Sequence, residues 1–162
     1  MRSGDRSSRL IPGGSVANTL AGLGRMGLAT AFIGRVADDA LGQAYAHEMA
    51  ADGTDFVNAP VRGADLPTSR SIILVTGDGE RSMNTYLGIS AELGQADVDP
   101  ALFAGGTWLF LEGYLFDKDQ GKAAFLKAAE MLLREGGQVL LVVPDKRKCF
   151  DLFRPLSSTG QA

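Results

Sequence analysis

Between Ser15 and Gly53 the chain runs helix, strand, helix, each segment closed by glycine. Ser15 can cap a helix running to Met26, with Val16, Leu20, Leu23 and Met26 on one face at helical spacing. Gly24 and Gly27 close it. Leu28–Ile33 reads as a short buried strand that ends at Gly34. The pair Asp38-Asp39 opens a second helix, where carboxylates suit the helix dipole, and Gly53 stops that helix after Ala51. Strands alternating with helices at this pace predict an α/β fold with parallel strands.

The pattern then changes. Phe56–Ala59, Ser69–Val75 and Arg81–Tyr86 read as strands, separated by Gly63, Pro67 and the turn Gly77-Asp78-Gly79. Asp-Gly between two such runs is a hairpin signal. A small antiparallel β lid is therefore expected at about residues 56–88. Such a flap can cover a ligand or pair with another subunit, or it can be an extension with no role. The rhythm resumes downstream. Leu93–Phe103 reads as a short helical or looped return, Thr107–Leu111 as a buried strand, Asp119–Glu135 as a helix and Val139–Val143 as another strand. In that helix Phe125, Ala128, Ala129 and Leu132 share a face. The ends lack this pattern: residues 1–12 read as a flexible Arg/Ser-rich leader and 144–162 as a polar tail.

Composition excludes several functions. Sixteen Lys and Arg against nineteen Asp and Glu give a net charge of −3, which selects neither nucleic acid nor an anionic membrane as partner. No apolar run is long enough to span a bilayer, and the basic N-terminus has no secretory signal core. One cysteine, Cys149, excludes an internal disulfide and fits a reducing, cytoplasmic compartment. One histidine, His47, excludes a multi-histidine metal site, and no metal ligands are assigned.

Chemistry is most legible at Gly13-Gly14-Ser15-Val16-Ala17-Asn18. Glycine lets backbone lie close to a ligand at positive φ, and a helix start points unpaired N–H groups outward. Asn18, one turn later, adds a donor and an acceptor. The turn can hold the hydroxyls of a small polar ligand, or it can simply cap a helix. Glu112, placed just past a strand's C-terminal end, sits where open α/β sheets bind ligands and can accept hydrogen bonds from hydroxyls; it can equally be a solvated loop carboxylate. Neither a G-x-G-x-x-G turn after a strand nor a Walker-type loop occurs.

Together GGSVANTLAGLGRMG, AFIGRVADDALG, TSRSIILVTGDGERSMNTYLG and WLFLEGYL resemble the PfkB carbohydrate and nucleoside kinases, which have ribokinase-like folds. The likeness covers residues 13–143, and the third stretch is similar to bacterial adenosine kinases and sugar kinases. It implies a ribokinase-like parallel sheet flanked by helices with a small β lid. The implied activity is transfer of phosphate from ATP, with Mg2+, to a hydroxymethyl group of a sugar or nucleoside. It also implies that Gly13, Gly14 and Asn18 hold sugar hydroxyls, that Glu112 lies near the sugar, and that the lid covers substrate and can form a homodimer contact.

The chain departs from the family pattern at three places. The Arg/Ser-rich leader stands where the family has a strand bearing a sugar-binding aspartate. No Gly-Ala-Gly-Asp loop, whose aspartate is the family's general base, and no N-x-x-E motif occurs. After Val143 the chain turns basic at Lys146-Arg147-Lys148 rather than continuing into further βα units. The expectation is an N-terminal substrate-binding fragment without catalytic residues or an ATP site, inactive as a kinase alone. The alternative is a non-catalytic sugar- or nucleoside-binding or self-associating fragment.

Overall fold

A computed structural model describes residues 9–106, 108–114 and 118–142. Helix α1 (Ser15–Arg25) leads into strand β1 (Thr30–Phe32), and helix α2 (Ala40–Ala51) into β2 (Thr54–Phe56). β1 and β2 pair in parallel, Thr30 opposite Thr54 and Phe32 opposite Phe56. The hairpin β3 (Arg70–Val75) and β4 (Arg81–Tyr86) follows, then three short 3₁₀ turns at Gly88–Glu92, Gln95–Asp97 and Pro100–Phe103. Strand β5 (Trp108–Glu112), helix α3 (Asp119–Arg134) and strand β6 (Gln138–Val142) complete the described chain. β5 and β6 are also parallel, with Trp108 opposite Gln138 and Glu112 opposite Val142. Parallel neighbours need a crossover between them, which α2 and α3 supply.

Burial corrects the expected faces. Ala17 and Ala21 are the buried residues of α1, whereas Met26 caps its C-terminus and is 77% exposed. The close-packed side of α1 is thus its small residues, which let the helix approach the sheet. In α3 the expected face holds, with Phe125, Ala128 and Leu132 buried. Ala124, Ala128 and Leu132 meet Val98 and Phe103 from the 3₁₀ turns, with Ile33, Leu109, Met131 and Val139 packed around them. The two strands read as buried are less so: Leu28 is exposed, and Trp108 is 64% exposed.

β2 begins earlier than its apolar run suggested, and it pairs in parallel with β1 rather than joining the antiparallel hairpin, as was expected of Phe56–Ala59. Thr54 is fully buried and its hydroxyl pairs with that of Thr30 at 2.9 Å, so the strand starts on a polar residue whose partner lies across the ladder. The Leu93–Phe103 return resolves into separate 3₁₀ turns, started by Gly94 and Asp99. Asp97 ties this return to the loop after β1: its carboxylate accepts from Arg35 at 2.7 Å and its carbonyl from Asn58 Nδ2 at 2.8 Å.

Candidate functional site

The double-glycine turn is shaped by backbone before any side chain acts. Gly14 precedes α1 with φ 114° and ψ 132°, in the positive-φ region that a side chain disfavours. Its carbonyl accepts the first helical hydrogen bond, from Asn18 N at 2.9 Å. The N–H groups ahead of Asn18 then have no intrahelical acceptor and face outward. Gly13, Gly14 and Asn18 are all exposed, and the Asn18 side chain makes no hydrogen bond among the described residues.

Ser15 is a correction. Gly14, not Ser15, occupies the capping position, and the Ser15 hydroxyl makes no capping bond. It donates instead to Glu112 Oε1 at 2.8 Å, across 97 residues of sequence. Glu112 is the last residue of β5, not a residue beyond the strand, and it is half-buried. The structure therefore brings Gly13, Gly14, Asn18 and Glu112 to one locus, where α1 starts and β5 ends. A second residue that the sequence did not reveal also reaches this turn: Tyr45, on α2, donates its hydroxyl to the Gly13 carbonyl at 3.1 Å. Only the proximity of Ser15 to the glycines hinted at its role, and no local signal marks Tyr45.

The paired aspartates do different work from each other. Asp39 caps α2, accepting from Gly42 N at 2.8 Å. The same carboxylate accepts from the Thr68 hydroxyl at 2.7 Å and the Thr68 amide at 2.9 Å, which fastens the foot of the hairpin to α2. Burial pushes this carboxyl up, but hydrogen bonds from Thr68, Gly42 and Leu41 outweigh it and hold it below its ordinary value. Asp38 accepts from the Gln43 side chain at 3.0 Å. A shallow depression lies on the hairpin itself, lined by Arg70, Ile72, Asn84, Thr85 and Tyr86. Its walls are wholly exposed strand, so the convergent polar groups at the glycine turn make the better site.

The family description "pfkB family carbohydrate kinase" matches residues 5–158. The chain belongs to this family. It is 33% identical over 137 residues to a fructokinase of Klebsiella pneumoniae, covering 83% of this chain and 44% of that protein. Among solved structures, the adenosine kinase from Sinorhizobium meliloti is 42% identical with a TM-score of 0.75, over 83% of this chain and 41% of that one. A probable sugar kinase from Rhizobium etli CFN 42 is 41% identical with a TM-score of 0.73, over 80% of this chain and 39% of that one. The fold is thus ribokinase-like, and the pfkB chain described here spans about two fifths of the length of these relatives.

PfkB kinases use ATP. Among the described residues no three His, Cys, Asp or Glu side chains converge to hold a metal ion. No helix among them is long and apolar enough to cross a membrane.

Proposed function

We propose that this chain carries the acceptor-binding part of a cytoplasmic sugar or nucleoside kinase, the class that phosphorylates a hydroxymethyl group. One observation supports the reading most strongly: the Ser15–Glu112 hydrogen bond joins two segments 97 residues apart at one polar locus. There the exposed N–H groups of the turn and the Asn18 amide can bind the oxygens of neighbouring hydroxyls. Glu112 accepts a hydrogen bond from a further hydroxyl, and Ser15 orients the carboxylate for it. Holding the acceptor oxygen in place is a large part of phosphoryl transfer, which is mostly positioning and charge stabilisation. This reading gives these residues neither the general base nor the nucleotide contacts, and its expected outcome is negligible ATP-dependent phosphorylation by the chain alone.

A thermal melt with millimolar adenosine, ribose, fructose and ATP tests the reading. A ligand that binds only the folded chain raises the midpoint by mass action. The expected result is a shift with one sugar or nucleoside, none with ATP, and loss of the shift in Asn18→Ala with the unliganded midpoint kept. A shift with ATP, or none with any acceptor, overturns it. The hairpin supports a second role. Ile73, Val75 and Met83 lie on one face of the ribbon and are exposed, which suits self-association into a homodimer through the lid.

A further inference from the structure

We propose that Tyr45 is a positioning residue for the glycine turn, its hydroxyl fixing the Gly13 carbonyl and so the path of Gly13-Gly14 into α1. This deepens the acceptor-site reading and rests on it for its functional consequence.

Two successive glycines have the greatest backbone freedom the chain can offer, and such a turn has no intrinsic reason to hold one shape. Ideal Cβ positions show how open it is: nothing lies within 4 Å of one at Gly13, and only the Ala17 Cβ and the Tyr45 hydroxyl oxygen, at 3.8 Å, approach one at Gly14. The turn is tied at two points. On its helical side Ser15 bonds to Glu112 on β5. On its leading side the Tyr45 hydroxyl donates to the Gly13 carbonyl from α2, 32 residues away.

Tyr45 is itself immobilised. Its ring meets Phe56 edge-on with centroids 5.8 Å apart and Phe32 at 6.3 Å, and those two phenylalanines are stacked register partners on β1 and β2. The phenol oxygen therefore emerges from an aromatic nook at a defined place. Burial pushes the phenol up to about 12, so it keeps its proton and stays a donor at any working pH. A turn pre-shaped in this way loses less entropy when it binds a ligand.

Tyr45→Phe keeps the ring contacts and removes only the hydroxyl. Amide exchange at Asn18, whose N–H bonds to the Gly14 carbonyl, reads the turn without any ligand, with Leu132 in α3 as internal reference. The expected result is exchange at Asn18 faster by about fivefold, Leu132 unchanged, the unliganded midpoint near wild type, and affinity for the acceptor that shifts wild type weaker by about fivefold. Equal Asn18 exchange in both proteins overturns the proposal whether or not a ligand binds. Faster exchange, with no ligand shift in either protein, keeps the role of Tyr45 and removes only the acceptor-site reading.

Discussion

The foot and the blade of the β3–β4 hairpin are held by opposite means. At the foot Thr68 is 3% exposed; it bonds to Asp39 through its amide and hydroxyl, and its hydroxyl also accepts from Ala37 N at 3.0 Å. The returning arm is fixed by Ile89 N on the Pro67 carbonyl at 3.0 Å. Past Arg70 and Tyr86 every residue of both strands is exposed. The blade keeps its shape by its ladder, by the Ser71–Thr85 hydroxyl pair at 2.9 Å and by Arg70 lying 5.5 Å over the Tyr86 ring. A two-stranded ribbon is marginal by itself, so the blade opens at lower free energy than the foot. The boundary between foot and blade thus falls at Ser69–Arg70 and Tyr86–Leu87, where long-range bonds give way to local ones.

The sharpest way to break this contrast is Gly42→Ala. A Cβ at Gly42 would sit 2.0 Å from the Ala37 carbonyl oxygen, beneath the foot. Overpacking against backbone is expected to cost about 3 kcal/mol in a denaturant melt, and a cost under about 1 kcal/mol would show that the foot yields. Asp39→Asn comes next, at about 2 kcal/mol at neutral pH, because the side-chain NH2 that replaces Oδ2 is a donor and cannot accept from the Thr68 amide. Its pH profile sharpens the point. The folded Asp39 carboxyl lies below its ordinary value of 3.8, so its contribution is full above that pH and is lost as pH falls through the lower folded value. The gap between wild type and Asp39→Asn in urea midpoint should close only in that acid range; a gap that closes near neutrality contradicts the clamp. The smallest stability effect belongs to the blade. Ile73→Ser should change stability by no more than about 0.5 kcal/mol while abolishing, in sedimentation, the self-association proposed for the hairpin. A loss as large as at the foot would mean that the blade is packed in solution, and the contrast would fall.

The foot and the blade also differ in how legible they were. Ser69–Val75 and Arg81–Tyr86 were legible as strand-like runs around Gly77-Asp78-Gly79, because a hairpin is a local object. Asp39 reads locally as a helix cap, which it is, but its hold on Thr68 lies 29 residues away and leaves no periodic trace. The same division runs through the candidate site. Gly13, Gly14 and Asn18 share one motif, so their grouping was visible. Ser15 reads as a cap by any local rule, yet its partner Glu112 is brought by β5. Tyr45 sits among alanines in a helix with no marked apolar stripe, and only the pairing of β1 with β2 carries it to the turn. The expectations for α1 and β5 erred in one direction: apolar residues were read as inside, whereas Met26 and Trp108 are exposed. Hydrophobicity reports what a surface would gain from cover, not whether cover is present.

Trp108 turns that exposure into a spectroscopic fact. It is the chain's one tryptophan, and it opens β5 with its indole largely in water. Its native emission should already be red-shifted, so unfolding the core around Leu132 would change its colour little. Circular dichroism follows α1, α2 and α3 directly and is the signal to melt by. The indole becomes informative in a different experiment: a blue shift on mixing would report whatever comes to lie over the exposed face of β5 and β6.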